Sequence, residues 1–159
     1  MDLDAKTIEQ LGQRVHDART FLHIDDKSAE LAALDEETAQ PGFWDNVTHA
    51  QAVSKRAGNL REAIREYDDA VSLFDDAQTA FELADEDEAF AAEASDACEK
   101  LAKLLDSLEL SSAKRRLMVV RGQLHAGSSL DDASLKALFE EATSLQRRIN
   151  ELNELISRA

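Results

Sequence analysis

The sequence has few residues that interrupt helices and strands or cross-link a chain: one proline, five glycines and one cysteine among 159 residues. Aromatic residues are also few, at 5%. A single cysteine excludes an intramolecular disulfide. So few Gly and Pro residues argue against the short, turn-separated strands of an all-β fold. The apolar content is mostly leucine and alanine, both strong helix formers. We therefore predict an all-α fold with long helices.

No apolar run approaches the roughly 20 residues that a membrane-spanning helix needs. The first residues, Met1 to Lys6, also lack the apolar segment of a signal peptide. We therefore expect a cytoplasmic protein without membrane contact. Asn46-Val47-Thr48 matches a glycosylation sequon, but in a cytosolic chain we interpret it as a helix start.

The net charge of −15 argues against a sequence-specific nucleic-acid-binding domain, because phosphate backbones attract Lys and Arg. The charge is distributed unevenly. Residues 1–112 hold 10 Lys/Arg and 27 Asp/Glu, a net of −17, whereas residues 113–159 hold 8 and 6, a net of +2. This shift predicts two domains, 1–112 and 113–159, and leaves open that the second packs on the first as one unit.

Apolar residues recur at spacings of three and four, which is typical of amphipathic helices. The first helix begins near Thr7, and its seam is Ile8, Leu11, Val15, Ala18 and Leu22. A second, shorter helix covers about 26–39, with Leu31 and Leu34 inward. Pro41-Gly42 ends it, because proline disfavours helical geometry in the residue before it.

Asp45 or Asn46 is a suitable N-cap for the next and longest early helix. Its predicted seam is Val53, Ala57, Leu60, Ile64, Tyr67, Val71, Phe74, Gln78 and Phe81. After the acidic turn 85–88, another helix has the seam Phe90, Ala94, Ala97, Leu101, Leu104 and Leu108. Two such helices joined by a short turn predict an antiparallel hairpin.

The remaining residues repeat this pattern on a smaller scale. Leu117, Val120 and Leu124 predict a short helix, 125–129 its C-cap and loop, and Ser129 or Asp131 the next N-cap. The last seam is Leu135, Leu138, Ala142, Leu145, Ile149, Leu152 and Ile156. The heptad period predicts a bundle of hairpins with coiled-coil-like packing. The same seams could pair within the chain or between two copies, so a homodimer stays open.

No pattern in the sequence indicates catalysis, a cofactor or a metal site. The histidines His16, His23, His49 and His125 are scattered, and neither HExxH nor CxxC occurs. Cys98 lies beside the seam residue Ala97, so we interpret it as a small, semi-buried residue and not as a nucleophile. The glycines stand singly, so no phosphate-binding loop is present. We therefore predict that the chain is not an enzyme.

Three groups of residues could form a surface. The pairs Asp68-Asp69 and Asp75-Asp76 repeat after seven residues, which favours a solvated helix face over a metal site. A basic cluster consists of Lys114-Arg115-Arg116 with Arg121. It could contact RNA or an acidic protein. Alternatively, it could solubilise its helix or pair with acidic residues of the antiparallel hairpin predicted above, the acidic hairpin. Phe43-Trp44 is interpreted as a clamp at a helix junction, with a binding hot spot as the alternative.

The segment Gln40-Pro41-Gly42-Phe43-Trp44-Asp45-Asn46, followed by Ala50-Gln51-Ala52-Val53-Ser54-Lys55, resembles the N-terminal helical domain of bacterial peptide chain release factor 2. That family has a Pro-x-aromatic-Trp-acidic turn and then an Ala-Gln-x-x-x-Lys helix start. The resemblance covers about residues 5–112. It implies a ribosome-associated domain in translation termination, located toward the factor-binding side of the ribosome.

The resemblance implies no catalytic residue in this chain. Family members read the stop codon through Ser-Pro-Phe and promote hydrolysis through Gly-Gly-Gln, and neither motif occurs here. After Ser112 the family continues into Ser-Gly-Glu-Tyr-Asp, whereas this chain has Ala113-Lys114-Arg115-Arg116-Leu117 and a helical hairpin. Residues 113–159 are weakly similar to the C-terminal, helicase-binding hairpin of bacterial primases. The alternative function is therefore a stand-alone helical protein-interaction module.

Overall fold

The computed structural model describes residues 4–84, 87–126 and 130–158, which form five α-helices and one short 3₁₀ turn. The helices are α1 (Ala5–Phe21), α2 (Ile24–Thr38), α3 (Val47–Leu83), α4 (Glu88–His125) and α5 (Asp132–Arg158). The 3₁₀ turn, Phe43–Asp45, lies between α2 and α3. Neighbouring long helices pack as hairpins, which confirms the predicted all-α architecture.

The chain divides into two compact units, Met1–Leu101 and Ala102–Ala159. Helix α4 runs through the boundary without interruption, so the prediction of a separate short helix around Leu117 is wrong. The physical reason is that no proline or glycine occurs between Glu88 and Arg121, and nothing else there interrupts helical hydrogen bonding. The predicted division after Ser112 falls inside α4 and stays a prediction from charge and family pattern.

The helices begin at side-chain caps, as the sequence suggests, but not always at the predicted residue. Asp4 and not Thr7 caps α1: its Oδ1 accepts a hydrogen bond from the Thr7 backbone N–H at 2.7 Å. Asn46 caps α3 through the His49 N–H at 3.1 Å, which confirms one of the two predicted residues. Asp131 precedes α5 and accepts from the Ser134 N–H at 3.0 Å. The other predicted cap, Ser129, lies outside the described residues.

Helix α1 buries the predicted seam, since its inward residues Ile8, Leu11, Val15, Ala18 and Leu22 all belong to the core. His23 then adopts a left-handed conformation with φ of 54° and links α1 directly to α2. Leu31 and Leu34 on α2 are partly buried, as predicted. Helices α1 and α2 both contact α3, which therefore organises the first unit.

The seam of α3 departs from the prediction in its C-terminal half. The fully buried residues there are small: Ala70, Ala77 and Ala80. Gln78, predicted to lie in the seam, is exposed, and Val71, Phe74 and Phe81 are only partly buried. In the first part of α4, the small residues Ala94, Ala97 and Cys98 are buried together with the predicted seam residue Leu101.

The second unit is the hairpin of α5 with the second part of α4. Its core consists of the buried Ala113, Leu117 and Ile149, with Leu110, Ala142 and Leu145 packed against them. The α5 seam is thus confirmed over most of its length, although Ile156 is exposed. Within the described ranges, no helix combines the length and the hydropathy that crossing a membrane requires.

Candidate interaction surfaces

The turn between α2 and α3 has a conformation that its sequence dictates. Gly42 adopts φ of 80°, a left-handed backbone conformation that glycine reaches without steric cost. Two backbone hydrogen bonds close the turn: Phe43 N–H to the Gln40 carbonyl at 3.2 Å, and Asp45 N–H to the Gly42 carbonyl at 3.1 Å. The Asn46 cap then starts α3 at once. The turn therefore fixes the directions in which Phe43 and Trp44 point.

Phe43 points into the first unit. It is 8% exposed and forms a small core cluster with Ala50 and Val53 of α3, against which Leu34 of α2 packs. The ring also contacts the imidazole of His49, with centroids 5.8 Å apart. The predicted clamp at the helix junction is therefore confirmed for Phe43.

Trp44 points toward solvent, so it does not form part of the predicted clamp. Its side chain is 64% exposed, and the neighbouring Val47 is 63% exposed. The indole meets the Phe43 ring edge-on, with centroids 4.9 Å apart and an interplanar angle of 88°. An apolar pair held on a rigid turn and open to solvent is typical of a binding anchor. We call Trp44 and Val47 the aromatic patch.

Ion pairs join α2 to α3, the two helices on either side of the turn that carries the aromatic patch. His49 Nε2 lies 2.5 Å from Glu37 Oε1, and the Arg56 guanidinium bonds both carboxylate oxygens of Glu30 at 2.5 and 2.7 Å. Arg61 bonds one carboxylate oxygen of Asp35. The hydrogen bond from Arg56 lowers the pKa of Glu30. These pairs hold α2 and α3 in register and so keep the turn in place.

The acidic pairs lie where the sequence placed them. Asp68, Asp69, Asp75 and Asp76 are all exposed on α3, which agrees with a solvated helix face. Among residues 4–84, 87–126 and 130–158, no three His, Cys, Asp or Glu side chains come close enough to hold a metal ion. The acidic turn predicted at 85–88 lies partly outside the described residues.

Cys98 and the four histidines occupy separate environments. Cys98 is fully buried and not semi-buried, and burial raises the pKa of its thiol, which keeps it protonated and unreactive. His125 contacts the Arg121 carbonyl at 2.8 Å, and His23 lies 3.6 Å from Asp26. His16 is exposed on α1.

The basic cluster lies on α4 within the second unit, and its members have different partners. Arg116 bonds Glu141 of α5 at 2.5 Å, and this hydrogen bond raises the pKa of the Arg116 guanidinium. Arg121 donates to the Gln146 side chain at 3.0 Å. Within the described part of the chain, Lys114 and Arg115 form no ion pair and are exposed. Arg116 therefore pairs with α5 and not with the acidic hairpin.

Sequence reasoning missed several exposed apolar residues, among them Val47, Met118 and Val119. Met118 is 70% exposed although it directly follows the buried Leu117. The sequence did contain a signal that Met118 and Val119 are exposed. Both lie between the seam residues Leu117 and Val120 and therefore face away from them. The cross-helix ion pairs were also missed, since they depend on the register of each hairpin.

These features define a class: a protein of packed helical hairpins with apolar side chains exposed on its surface. A family model described as the PCRF domain matches residues 27–123, which is more than half of the sequence, so the chain belongs to the PCRF domain family. The match covers most of α2, the aromatic patch, all of α3 and nearly all of α4, and it continues past Ser112.

Curated relatives agree with this family. The chain is 28% identical over 103 residues to peptide chain release factor 2 of Petrotoga mobilis, covering 65% of this chain and 28% of the relative. It is 31% identical over 108 residues to peptide chain release factor 2 of Saccharopolyspora erythraea, covering 67% and 29%.

Peptide chain release factor 1 of Corynebacterium efficiens is 32% identical over 121 residues, covering 72% and 33%. The chain thus spans about a third or less of the length of these relatives. No solved structure matches the chain.

Proposed function

We propose that this chain is a non-catalytic helical domain of a release factor 2-like protein, which acts in translation termination in the cytoplasm by contacting the ribosome on its factor-binding side. The observation that carries the proposal is the position of the aromatic patch inside the PCRF match. An exposed tryptophan on a rigid turn supplies a large contact area at little cost in conformational entropy. The acidic charge of residues 1–112 suits the basic proteins of a ribosomal surface.

The residues of this chain support the proposed absence of catalysis. Its five glycines are all separated, so it holds no Gly-Gly-Gln motif, and its single proline is not in a Ser-Pro-Phe tripeptide. The chain alone should therefore release no peptide from termination complexes stalled at a stop codon. Release at the rate of an intact factor would contradict this part of the proposal.

Ribosome contact is tested by co-sedimentation of the purified chain with ribosomes. Trp44→Ala should weaken binding about tenfold, as expected for truncation of a central anchor residue. Phe139→Ala is the matched control, because Phe139 is also an exposed aromatic residue but lies on α5, outside the PCRF match. Equal binding by wild type and Trp44→Ala, or equal loss in both variants, would contradict the assignment of the aromatic patch.

The second candidate function is a protein-interaction module carried by α4 and α5. It is favoured by α5, which forms a stable hairpin with α4 yet lies wholly beyond the PCRF match. A resemblance to the primase hairpin suggests a replicative helicase as the partner. Co-purification with a replicative helicase, and not with ribosomes, would support this alternative.

A further inference from the structure

A groove runs between α4 and α5 on one side of the second unit. It has a volume of about 420 Å³, and the residues that line it are Lys114, Leu117, Met118, Arg121, Gln146 and Ile149. All six come from the two helices of one hairpin. The groove is therefore a property of this unit alone.

The floor of the groove is apolar. Leu117 and Ile149 form its base, and both belong to the core cluster that joins α4 to α5. Met118 stands at the edge and is 70% exposed. A flexible, polarizable methionine at such an edge adapts to apolar side chains of different shape. This floor suits the apolar face of a partner better than a purely polar ligand.

The rim of the groove is positively charged and free of carboxylates. Lys114 and Arg121 flank Met118, and residues 110–130 contain four Lys/Arg and no Asp or Glu. On the α5 side, Gln146 donates to Asn150 at 3.1 Å. The same helical row continues through Thr143 and Phe139, so it adds no charge.

The opposite side of the hairpin is different. There Arg148 bonds both carboxylate oxygens of Glu109 at 2.6 and 3.0 Å, and Arg116 bonds Glu141. Each of these cations is neutralised by a carboxylate of the other helix. One side of the hairpin therefore carries the cross-helix ion pairs, whereas the groove side has an apolar floor and Lys114, which forms no ion pair with the described residues.

We propose that the groove binds an acidic, amphipathic helical segment of a partner protein. Apolar residues at spacings of three and four would rest on Leu117, Met118 and Ile149, and flanking Asp or Glu would meet Lys114 and Arg121. Single-stranded RNA fits less well, because the lining holds no aromatic ring on which a base could stack. This proposal does not depend on ribosome contact, since it involves none of the residues of the aromatic patch.

The test uses the full chain and a fluorescently labelled helical peptide of about 18 residues, or about five turns. The peptide carries Leu at positions i, i+3, i+4 and i+7, Glu at the positions that flank this stripe and Ala elsewhere, and a second peptide has Lys in place of every Glu. Fluorescence anisotropy at physiological salt should show binding of the Glu peptide and none of the Lys peptide. A single-stranded RNA oligonucleotide is measured alongside.

The double variant Lys114→Glu/Arg121→Glu should weaken binding of the Glu peptide about tenfold, and Met118→Asp by a similar factor. Arg147→Glu is the matched control for Lys114→Glu alone, since each reverses one charge: Arg147 lies on the same hairpin and is exposed, but does not line the groove. Trp44→Ala should also bind as wild type does. Circular dichroism checks that every variant keeps its helices.

Two results would overturn the proposal. One is binding of the RNA oligonucleotide with no binding of the Glu peptide, which would make the basic rim a phosphate-binding surface. The other is equal weakening by the groove variants and by Arg147→Glu, which would reduce the effect to overall charge. Loss of ribosome binding in Trp44→Ala, without change in peptide binding, would separate this site from the proposed termination function.

Discussion

The hairpin of α2 with α3 and the hairpin of α4 with α5 are built in the same way but expose different surfaces. In each, an apolar residue turned inward is followed directly by one turned outward: Phe43 by Trp44, and Leu117 by Met118. In each, ion pairs cross between the helices. The charge around the exposed residue is opposite, being acidic in the first unit and basic in the second.

This difference separates what holds a hairpin together from what the hairpin can recognise. The inward residues and cross-helix pairs fix the geometry in both units, and they would serve almost any partner. In the two proposed sites, the outward residue and the charge beside it would select the partner, because association is favoured by complementary charge around an apolar anchor. The PCRF match includes Trp44 and Met118 but ends before α5. The groove, which needs α5, therefore extends beyond the matched domain.

The largest expected effect comes from removing a core leucine from either unit. Leu60 of α3 and Leu152 of α5 are both almost wholly buried. Leu60→Ala and Leu152→Ala should each lower the free energy of unfolding by about 2–5 kcal/mol, through lost burial and the cavity left behind. Urea denaturation followed by circular dichroism measures both, and Trp44 fluorescence reports the first unit, since the sequence has no other tryptophan.

Leu155→Ala is the matched control for the second unit, because Leu155 lies on α5 but is substantially exposed. Its effect should stay within about 0.5 kcal/mol. If Leu152→Ala and Leu155→Ala destabilised the chain equally, the assignment of Leu152 to the core of this hairpin would be wrong.

A smaller effect, of opposite sign in the two regions, is expected from glycine. Gly42→Ala should destabilise the first unit by about 1 kcal/mol, because φ of 80° disfavours any residue with a Cβ. Gly122→Ala should instead stabilise α4 by about 0.5–1 kcal/mol, since Gly122 lies inside a helix and an added Cβ meets open space. Thermal unfolding of both variants measures the two changes in stability. Changes of the same sign would contradict the expected difference between Gly42 and Gly122.

The sequence predicted helices and inward faces well where leucine and valine define one stripe. The seams of α1 and α5 illustrate this, because large apolar residues occupy most of their inward positions. It failed in the C-terminal half of α3, where Phe74 and Phe81 suggested the seam but alanines form it. Alanine carries little hydrophobic signal, so the closeness of two helices cannot be read from its pattern.

The candidate surfaces were less predictable than the helices. The Phe43-Trp44 pair was identified, but which ring faces solvent depends on the left-handed Gly42 and on the Asn46 cap acting together. The groove depends on the register between α4 and α5, which places Gln146 and Ile149 beside Lys114 and Met118. Register between helices is a tertiary property, and heptads alone allow several registers.

The smallest expected effect compares one ion pair from each hairpin by double-mutant cycles. Glu109–Arg148 is partly shielded from solvent, so its coupling should be about 0.5–1 kcal/mol, whereas the more exposed Glu30–Arg56 pair should give a smaller value. The cycles use Glu→Gln and Arg→Met variants and urea denaturation. Equal couplings would show that shielding does not distinguish the two hairpins.

The Glu30–Arg56 cycle should also depend on pH in a defined direction. The hydrogen bond from Arg56 lowers the pKa of Glu30 below its ordinary value of 4.5. A carboxylate whose pKa is lowered in the folded state stabilises the fold fully at pH values above its pKa in the unfolded chain. This contribution is lost as the pH falls through the folded-state pKa. The coupling should therefore be constant near neutrality and vanish in strong acid. Coupling that persisted after Glu30 is protonated would mean that the pair stabilises α2 against α3 by packing and not by charge.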